Sequence, residues 1–240
     1  MIIRPNQRIG NDEHKAVLWT MDDIGIGEIY TPGTNFAKNP IGYQNAWGND
    51  GARLHGVTSP SKFKNMSIRL TDSGKAYCYR FKPTYGGEYI WVKPGFYLRL
   101  YLYPNGTLPA ASAYPFCMSQ YSSSQLYAIR TSFSSIGNLG IYLKLNSSYY
   151  SLSTSPNFNA WNCLELYISS LRTVILSIND ETIEHTTTND INFWQNAIIF
   201  NSYYPSGVRR QFPGYIDYIY FKNGIGTSKS ALSSNINRPA

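Results

Sequence analysis

Residues 96–103 read Phe-Tyr-Leu-Arg-Leu-Tyr-Leu-Tyr, a run that alternates large apolar with polar-tipped side chains until Pro104-Asn105-Gly106 breaks it. A helix would scatter Phe96, Leu98, Leu100 and Leu102 around its circumference, whereas a strand puts all four on one face. Tyr97, Arg99, Tyr101 and Tyr103 must then stand on the opposite face. Shorter runs of strand character lie at 75–82, 88–95 (ending at the Pro94-Gly95 turn), 125–133, 139–145, 163–168, 173–178, 197–200 and 215–221, separated by Gly, Pro, Asn and Ser. Asn179-Asp180 is a turn signal after one of them. Short strands at this spacing predict a β-sandwich or jelly roll, and nothing longer than about ten residues carries a helical period.

Composition agrees. Charged residues are 15% of the chain, against the roughly 25% of ordinary soluble proteins. Aromatics also reach 15%, with 21 Tyr among them. The surface therefore uses Tyr, Ser and Asn where most proteins use Lys and Glu, and these residues suit a pleated sheet better than a helix. With 240 residues, 42% of them hydrophobic, and no long apolar run, the chain suits one large domain or two small ones. Residues 66–223 are expected to form the sandwich. Residues 1–65, turn-rich with strand character only at 16–21 and 28–30, read as a loop-rich arm that packs on it or reaches a neighbour. Residues 224–240 are rich in Ser, Asn and Gly, have little with which to build a core, and are expected to dock on a partner.

The formal charge is +7, and residues 51–100 alone hold nine Lys/Arg against two Asp/Glu. These cations are dispersed along alternating strand positions. Tracking phosphates needs a contiguous stripe, so a solvated face is expected and no nucleic-acid partner. Cys78, Cys117 and Cys163 are odd in number and lack C-x-x-C spacing, which points to buried reduced thiols rather than to disulfides or zinc. The first residues lack the apolar core of a signal peptide, and no stretch approaches the ~18 apolar residues of a membrane helix. Synthesis and folding in the cytoplasm are the expectation.

Three segments carry a resemblance. They are Leu139-Gly-Ile-Tyr-Leu-Lys-Leu; Trp161-Asn162 opening an alternating run, followed by 173–183 with its Asn179-Asp180 turn; and Phe212-Pro-Gly-Tyr-Ile-Asp-Tyr-Ile-Tyr-Phe. Together they resemble the second half of a laminin-G-like, concanavalin A-like jelly roll, over about residues 75–223. In that superfamily a strand opens with Trp-Asn or Trp-His, the next ends in an Asn/Asp-Gly turn, and the last reads Gly-x-Ile-Asp-x-Ile-x-Tyr. Glu181 departs from this pattern where the turn glycine is usual. The resemblance implies two stacked antiparallel sheets and, in many members, a glycan on the concave face or loop rim.

The superfamily's hydrolases carry a Glu-x-Asp-x-(x-)Glu run that sets two carboxylates on one face. This chain has none: Glu165 stands alone, Glu181 and Glu184 are three apart, and Asp217 is isolated. Tyr220-Phe-Lys-Asn-Gly resembles a strand of the jelly-roll polysaccharide lyases, but their Gln-x-His and Arg-x-Glu-Leu-Arg strands are missing. His185 beside Glu184 lacks a second histidine at ligand spacing. Asp22 and Asp23 offer oxygen ligands to calcium without the spacing of a calcium loop. No cofactor is expected.

Binding is the better-supported chemistry, because sugars present C–H faces to aromatic rings and hydroxyls to polar side chains. Candidates are the ladder Tyr97, Arg99, Tyr101 and Tyr103 with Tyr142, Lys144 and Tyr167 beside it. The rim segments Tyr149-Tyr150, Trp194 and Tyr203-Tyr204, near Arg209-Arg210, are a second set. Tyr and Arg equally suit protein partners. The sequence thus reads as an all-β, two-sheet antiparallel jelly-roll sandwich, non-catalytic, serving as a virion component of the phage tail, fibre-base or capsid-appendage kind. Its partners would be other subunits of the assembly, and surface glycan a further one. The alternative is a polysaccharide lyase or glycoside hydrolase of the same fold.

Overall fold

The computed structural model describes residues 56–62, 67–69, 91–120, 127–195 and 212–220 in full, and the backbone of further strand segments between residues 16 and 222. Most of 1–65 and all of 224–240 lie outside the described residues. No helix occurs among those described. The strands in chain order begin with β1 (Ala16–Trp19), β2 (Gly27–Glu28), β3 (Ala46–Trp47), β4 (His55–Val57), β5 (Ser67–Arg69), β6 (Thr71–Asp72) and β7 (Lys75–Ala76). They continue with β8 (Tyr79–Phe81), β9 (Thr84–Tyr85), β10 (Glu88–Val92), β11 (Tyr97–Pro104), β12 (Phe116–Ser119), β13 (Tyr127–Phe133) and β14 (Leu139–Leu145). The last seven are β15 (Ser148–Thr154), β16 (Asn162–Ile168), β17 (Thr173–Ile178), β18 (Glu181–Thr186), β19 (Phe193–Gln195), β20 (Ala197–Phe200) and β21 (Gly214–Lys222).

Two large antiparallel sheets form a jelly-roll sandwich. The first runs β18-β17-β16-β11-β21-β5-β4-β2, with β1 also on β21, and the second runs β15-β14-β13-β12-β20-β8-β3. Small ribbons, β19-β10-β9 and β6-β7, complete the structure. The first four strands therefore add to both sheets: β1, β2 and β4 to the first, β3 to the second.

The core lies between the sheets and follows from the alternation. Leu98, Leu100 and Leu102 of β11, Leu164 and Leu166 of β16, and Leu176 of β17 meet Phe116, Met118, Ile129, Ile141 and Leu143 of the second sheet, all fully buried. Phe96, just before β11, joins them as its position in the alternation requires. Antiparallel sheets buried on one face need this clean alternation, which fixes register, since a slip of one residue would turn every leucine outward.

Local signals explain the turns. Asn179 adopts φ 55°, the left-handed region that Asn tolerates, and Ile178 pairs directly with Glu181 across a two-residue turn. Glu181 is thus already a strand residue and never needed to be glycine. The open edges are tied together: His185 Nε2 donates to the Ser151 carbonyl at 3.1 Å, and the Tyr150 hydroxyl sits 2.7 Å from Thr188 Oγ1 and accepts from the Thr188 N–H. His185, raised above as a metal candidate, is a cross-sheet hydrogen-bond donor here. Of the cysteines, Cys117 is buried and Cys163 only half-buried, so the expectation of buried thiols fails at Cys163, whose face of β16 is not fully covered.

The pairing of β11 with β21 shifts between Leu100 and Tyr101, because Leu100 faces Ile219 while Tyr101 faces Asp217. Tyr218 is the extra residue of this bulge and takes φ 51°, a conformation that costs a non-glycine residue on the order of 1 kcal/mol or more. Its ring, edge-on to Tyr101 at 5.8 Å, holds it there. Comparing Tyr218→Gly with Tyr218→Ala isolates the backbone, since both lose the ring. Chemical denaturation is expected to find the glycine variant more stable by about 1 kcal/mol, the reverse of the usual order within a strand.

Candidate binding faces

The outer face of the first sheet carries the ladder, but much of it is closed. Tyr97, Arg99 and Tyr167 are 1%, 3% and 1% exposed. Arg99 donates from Nε at 2.8 Å and Nη2 at 2.5 Å to Glu165 Oε1, and the Tyr97 hydroxyl donates to the same oxygen. Burial, reinforced by the Glu165 carboxylate, pushes the Tyr97 hydroxyl far above the ordinary tyrosine range, outweighing the pull of Arg99. The phenol therefore stays protonated and keeps donating. Nearby, burial pushes Tyr220 up to about 12. Further along, Tyr103 packs edge-on to Trp161 at 5.4 Å and to Tyr215 at 5.7 Å. These are structural contacts that tie β11, β16 and β21 into one surface.

The motif residues of the resemblance are structural as well. Asn162, fully buried, accepts on Oδ1 from the Asn157 N–H at 2.9 Å and from Asn179 Nδ2 at 3.1 Å. Its own Nδ2 donates to the carbonyls of Asn157 at 2.9 Å and Ala160 at 3.1 Å. One side chain thus joins the 155–161 loop to the β17–β18 turn. Asp217, also buried, accepts from the Lys62 N–H at 2.8 Å. Neither residue is placed to do chemistry on a ligand.

The second sheet presents the more open face. The β13–β14–β15 register sets Ala128, Lys144 and Tyr149 in one row, and Arg130, Tyr142 and Ser151 in the next. The Arg130 guanidinium lies 4.9 Å from the Tyr114 ring centroid, 5.3 Å from that of Tyr142 and 5.1 Å from that of Tyr149. Lys144 Nζ is 5.5 Å from the Tyr149 ring. Tyr149 is 49% exposed, and Tyr114, Arg130, Tyr142 and Lys144 are half-buried. Gly140, in the row beyond Tyr142, has no room for a side chain, because a Cβ there would sit 3.3 Å from Tyr142 Cε2 and 2.9 Å from the Leu152 carbonyl oxygen. The Tyr142 ring thus leans over a bare backbone. A cation ringed by three aromatic faces is held rigidly, which suits binding rather than proton transfer.

The structure thus divides the sequence candidates. Tyr142 and Lys144, expected beside the Tyr97–Arg99 ladder, belong to the other sheet. Tyr149 and Tyr150 part company by strand alternation, Tyr149 facing outward and Tyr150 packing against the core. Trp194 lies on the β10–β19 ribbon opposite Trp91, which is 44% exposed. Tyr203, Tyr204, Arg209, Arg210, Asp22 and Asp23 lie outside the described residues. Arg130 and Tyr114 were not singled out from the sequence. Arg130 could have been found by extending the alternation of 127–133 across to 139–145. Among the described residues no group of His, Cys, Asp or Glu is arranged to hold a metal, and no helix is long and apolar enough to cross a membrane.

No family model matches the chain, and no curated protein matches it in sequence. Solved structures do resemble it. Domain 4 of AbnA, a GH43 extracellular arabinanase from Geobacillus stearothermophilus, in complex with arabinotriose, is similar with a TM-score of 0.58 and 15% identity, covering 89% of this chain and 94% of that one. The binding domain of Paraclostridial Mosquitocidal Protein 1 is similar with a TM-score of 0.53 and 14% identity, covering 86% of this chain and 51% of that one. The binding domain of Botulinum neurotoxin DC in complex with rat synaptotagmin II follows at 0.50 and 13%, covering 76% and 43%. This chain spans about half the length of the two toxin domains. At these identities the likeness is one of fold: a β-sandwich.

Proposed function

We propose that this chain is a non-catalytic, glycan-binding β-sandwich of the concanavalin A-like kind, and that its binding site is the outer face of the second sheet around Arg130. The observation that carries the reading is the Arg130 guanidinium set among Tyr114, Tyr142 and Tyr149, with Tyr149 half exposed. A sugar ring stacked on Tyr149 would bring its hydroxyls to Lys144 and Ser151, both on the same face. Rigid aromatic platforms with a few polar groups lose little entropy on binding. The arabinotriose bound by the similar arabinanase domain adds support to a saccharide as ligand. Isolated carboxylates such as Glu165, held by Arg99 and Tyr97, favour binding over hydrolysis.

The setting we propose is a larger assembly, a virion component of the phage tail, fibre-base or capsid-appendage kind, in which such a module touches a host-surface glycan. Support for it comes from the sequence of residues 224–240, which has little to build a core with. Light scattering of the full chain is expected to show a stable oligomer, and a monomer at all concentrations would remove that setting.

The glycan reading is tested on a glycan array with the wild type beside Tyr149→Ala. The wild type is expected to retain a defined set of saccharides, and the variant to lose at least about ten-fold in affinity, or ~1.4 kcal/mol, at an unchanged melting temperature. Equal binding by both proteins would move the site elsewhere.

A further inference from the structure

We infer that the sugar taken by this face carries an acidic group, and that Lys144 holds it. The inference rests on the glycan-binding reading and names its ligand class. Lys144 is half-buried on β14, with Tyr149 opposite it on β15 and Ala128 opposite it on β13. Its ammonium lies against the Tyr149 ring and has no ion-pair partner among the described residues. The rows that β13, β14 and β15 contribute to this face hold Lys144 and Arg130, and no carboxylate.

The first sheet shows what the same chain does with a cation that serves structure. There Arg99 is paired twice with Glu165 in the neighbouring strand, at the directly opposite register position. On β14 the equivalent cross-strand neighbours of the lysine are an alanine and a tyrosine. With an aromatic ring beneath it and no carboxylate in the neighbouring rows, the Lys144 ammonium has donors to offer an anionic ligand. A sugar ring on Tyr149 with a carboxylate or sulfate at its edge takes them up, combining stacking with a charge-assisted hydrogen bond. The net charge of +7 steers anions toward the protein at low salt. The Lys144 ammonium at the Tyr149 ring fits the acidic group of a single sugar, whereas a nucleic-acid backbone would need a stripe of cations.

Matched probes test this by titration calorimetry at low salt. The pairs are oligogalacturonate and its methyl ester, hyaluronan oligomers and their methyl ester, and dextran sulfate and dextran, each offered to wild type, Lys144→Met and Lys144→Arg. In at least one pair the acidic member is expected to bind the wild type ten-fold or more tighter than its neutral partner. Lys144→Met should cut that preference below two-fold, costing the acidic member far more than the neutral one, and Lys144→Arg should keep most of it. Whether the uronates or the sulfate lead identifies the acidic group. Neutral saccharides bound as well as acidic ones, or a preference unmoved in Lys144→Met, would overturn the inference and leave glycan binding standing. Binding to none of the probes, together with a blank glycan array, would overturn both.

Discussion

Replacing Glu165 with Leu is expected to lower the unfolding free energy by about 3–5 kcal/mol, read as a fall in the urea midpoint at constant slope. The carboxylate is the shared acceptor for Arg99 and Tyr97, and both are within 3% of full burial. Without it, a buried guanidinium and a buried phenol lose their acceptor at once. Leucine adds apolar contact but satisfies neither donor. The test that separates this account from simple loss of packing is to remove the whole network. The triple variant Tyr97→Phe, Arg99→Met, Glu165→Leu is expected to recover to within about 1 kcal/mol of the wild type, because nothing charged is then left unpaired. A single variant that costs under about 1 kcal/mol would mean that Arg99 reaches water or another anion.

Gly214→Ala is the second large effect. A Cβ at this position would lie 2.1 Å from the Tyr103 carbonyl oxygen and 2.8 Å from Phe212 Cε1. The oxygen belongs to β11, whose Pro104 pairs with Gly214, and the neighbouring Asn105 N–H donates to the Pro213 carbonyl at 3.0 Å. The β11 backbone on one side and the fully buried Phe212 ring on the other leave nothing free to yield, so β21 must move away from β11 at its first residue. Forced overpacking of this kind costs about 3 kcal/mol, or roughly 6–12 °C in melting temperature for a chain of this length. A melting temperature within about 2 °C of the wild type would show that the two strands open readily here. The glycine of the Gly-x-Ile-Asp pattern is thus explained by backbone approach rather than by a role in binding.

The sandwich was legible where alternation was long and apolar. Residues 139–145, 173–178 and 197–200 were read from the sequence with the boundaries of β14, β17 and β20. Strands β12, β15 and β18 were not, each for its own reason. Phe116-Cys-Met-Ser is too short to show a period. Ser-Tyr-Tyr-Ser-Leu-Ser-Thr buries only Leu152 fully, and Glu181–Thr186 is an exposed edge that packs almost nothing. Their strand character comes from the neighbours that pair with them, which a local reading of residue types does not see. The site was harder for the same reason. Arg130 and its three tyrosines come from separate segments of the chain, and only the register of β13, β14 and β15, with the Ala113–Phe133 bridge beside Tyr114, brings them around one guanidinium. Tyr149-Tyr150, adjacent in sequence, read as one feature, yet a strand sends them to opposite faces. The aromatic ladder on β11 was a binding candidate because nothing in its own sequence decides whether its outer face is covered.

The most direct measurement of where this protein binds is a crystal structure of the full chain with the best saccharide from the array. The expected result is a sugar ring stacked on Tyr149, with a polar or acidic group within hydrogen-bond distance of Lys144 or Arg130. A saccharide seated instead on the first sheet, or on the Trp91–Trp194 ribbon, with the Arg130 face empty, would contradict the assignment.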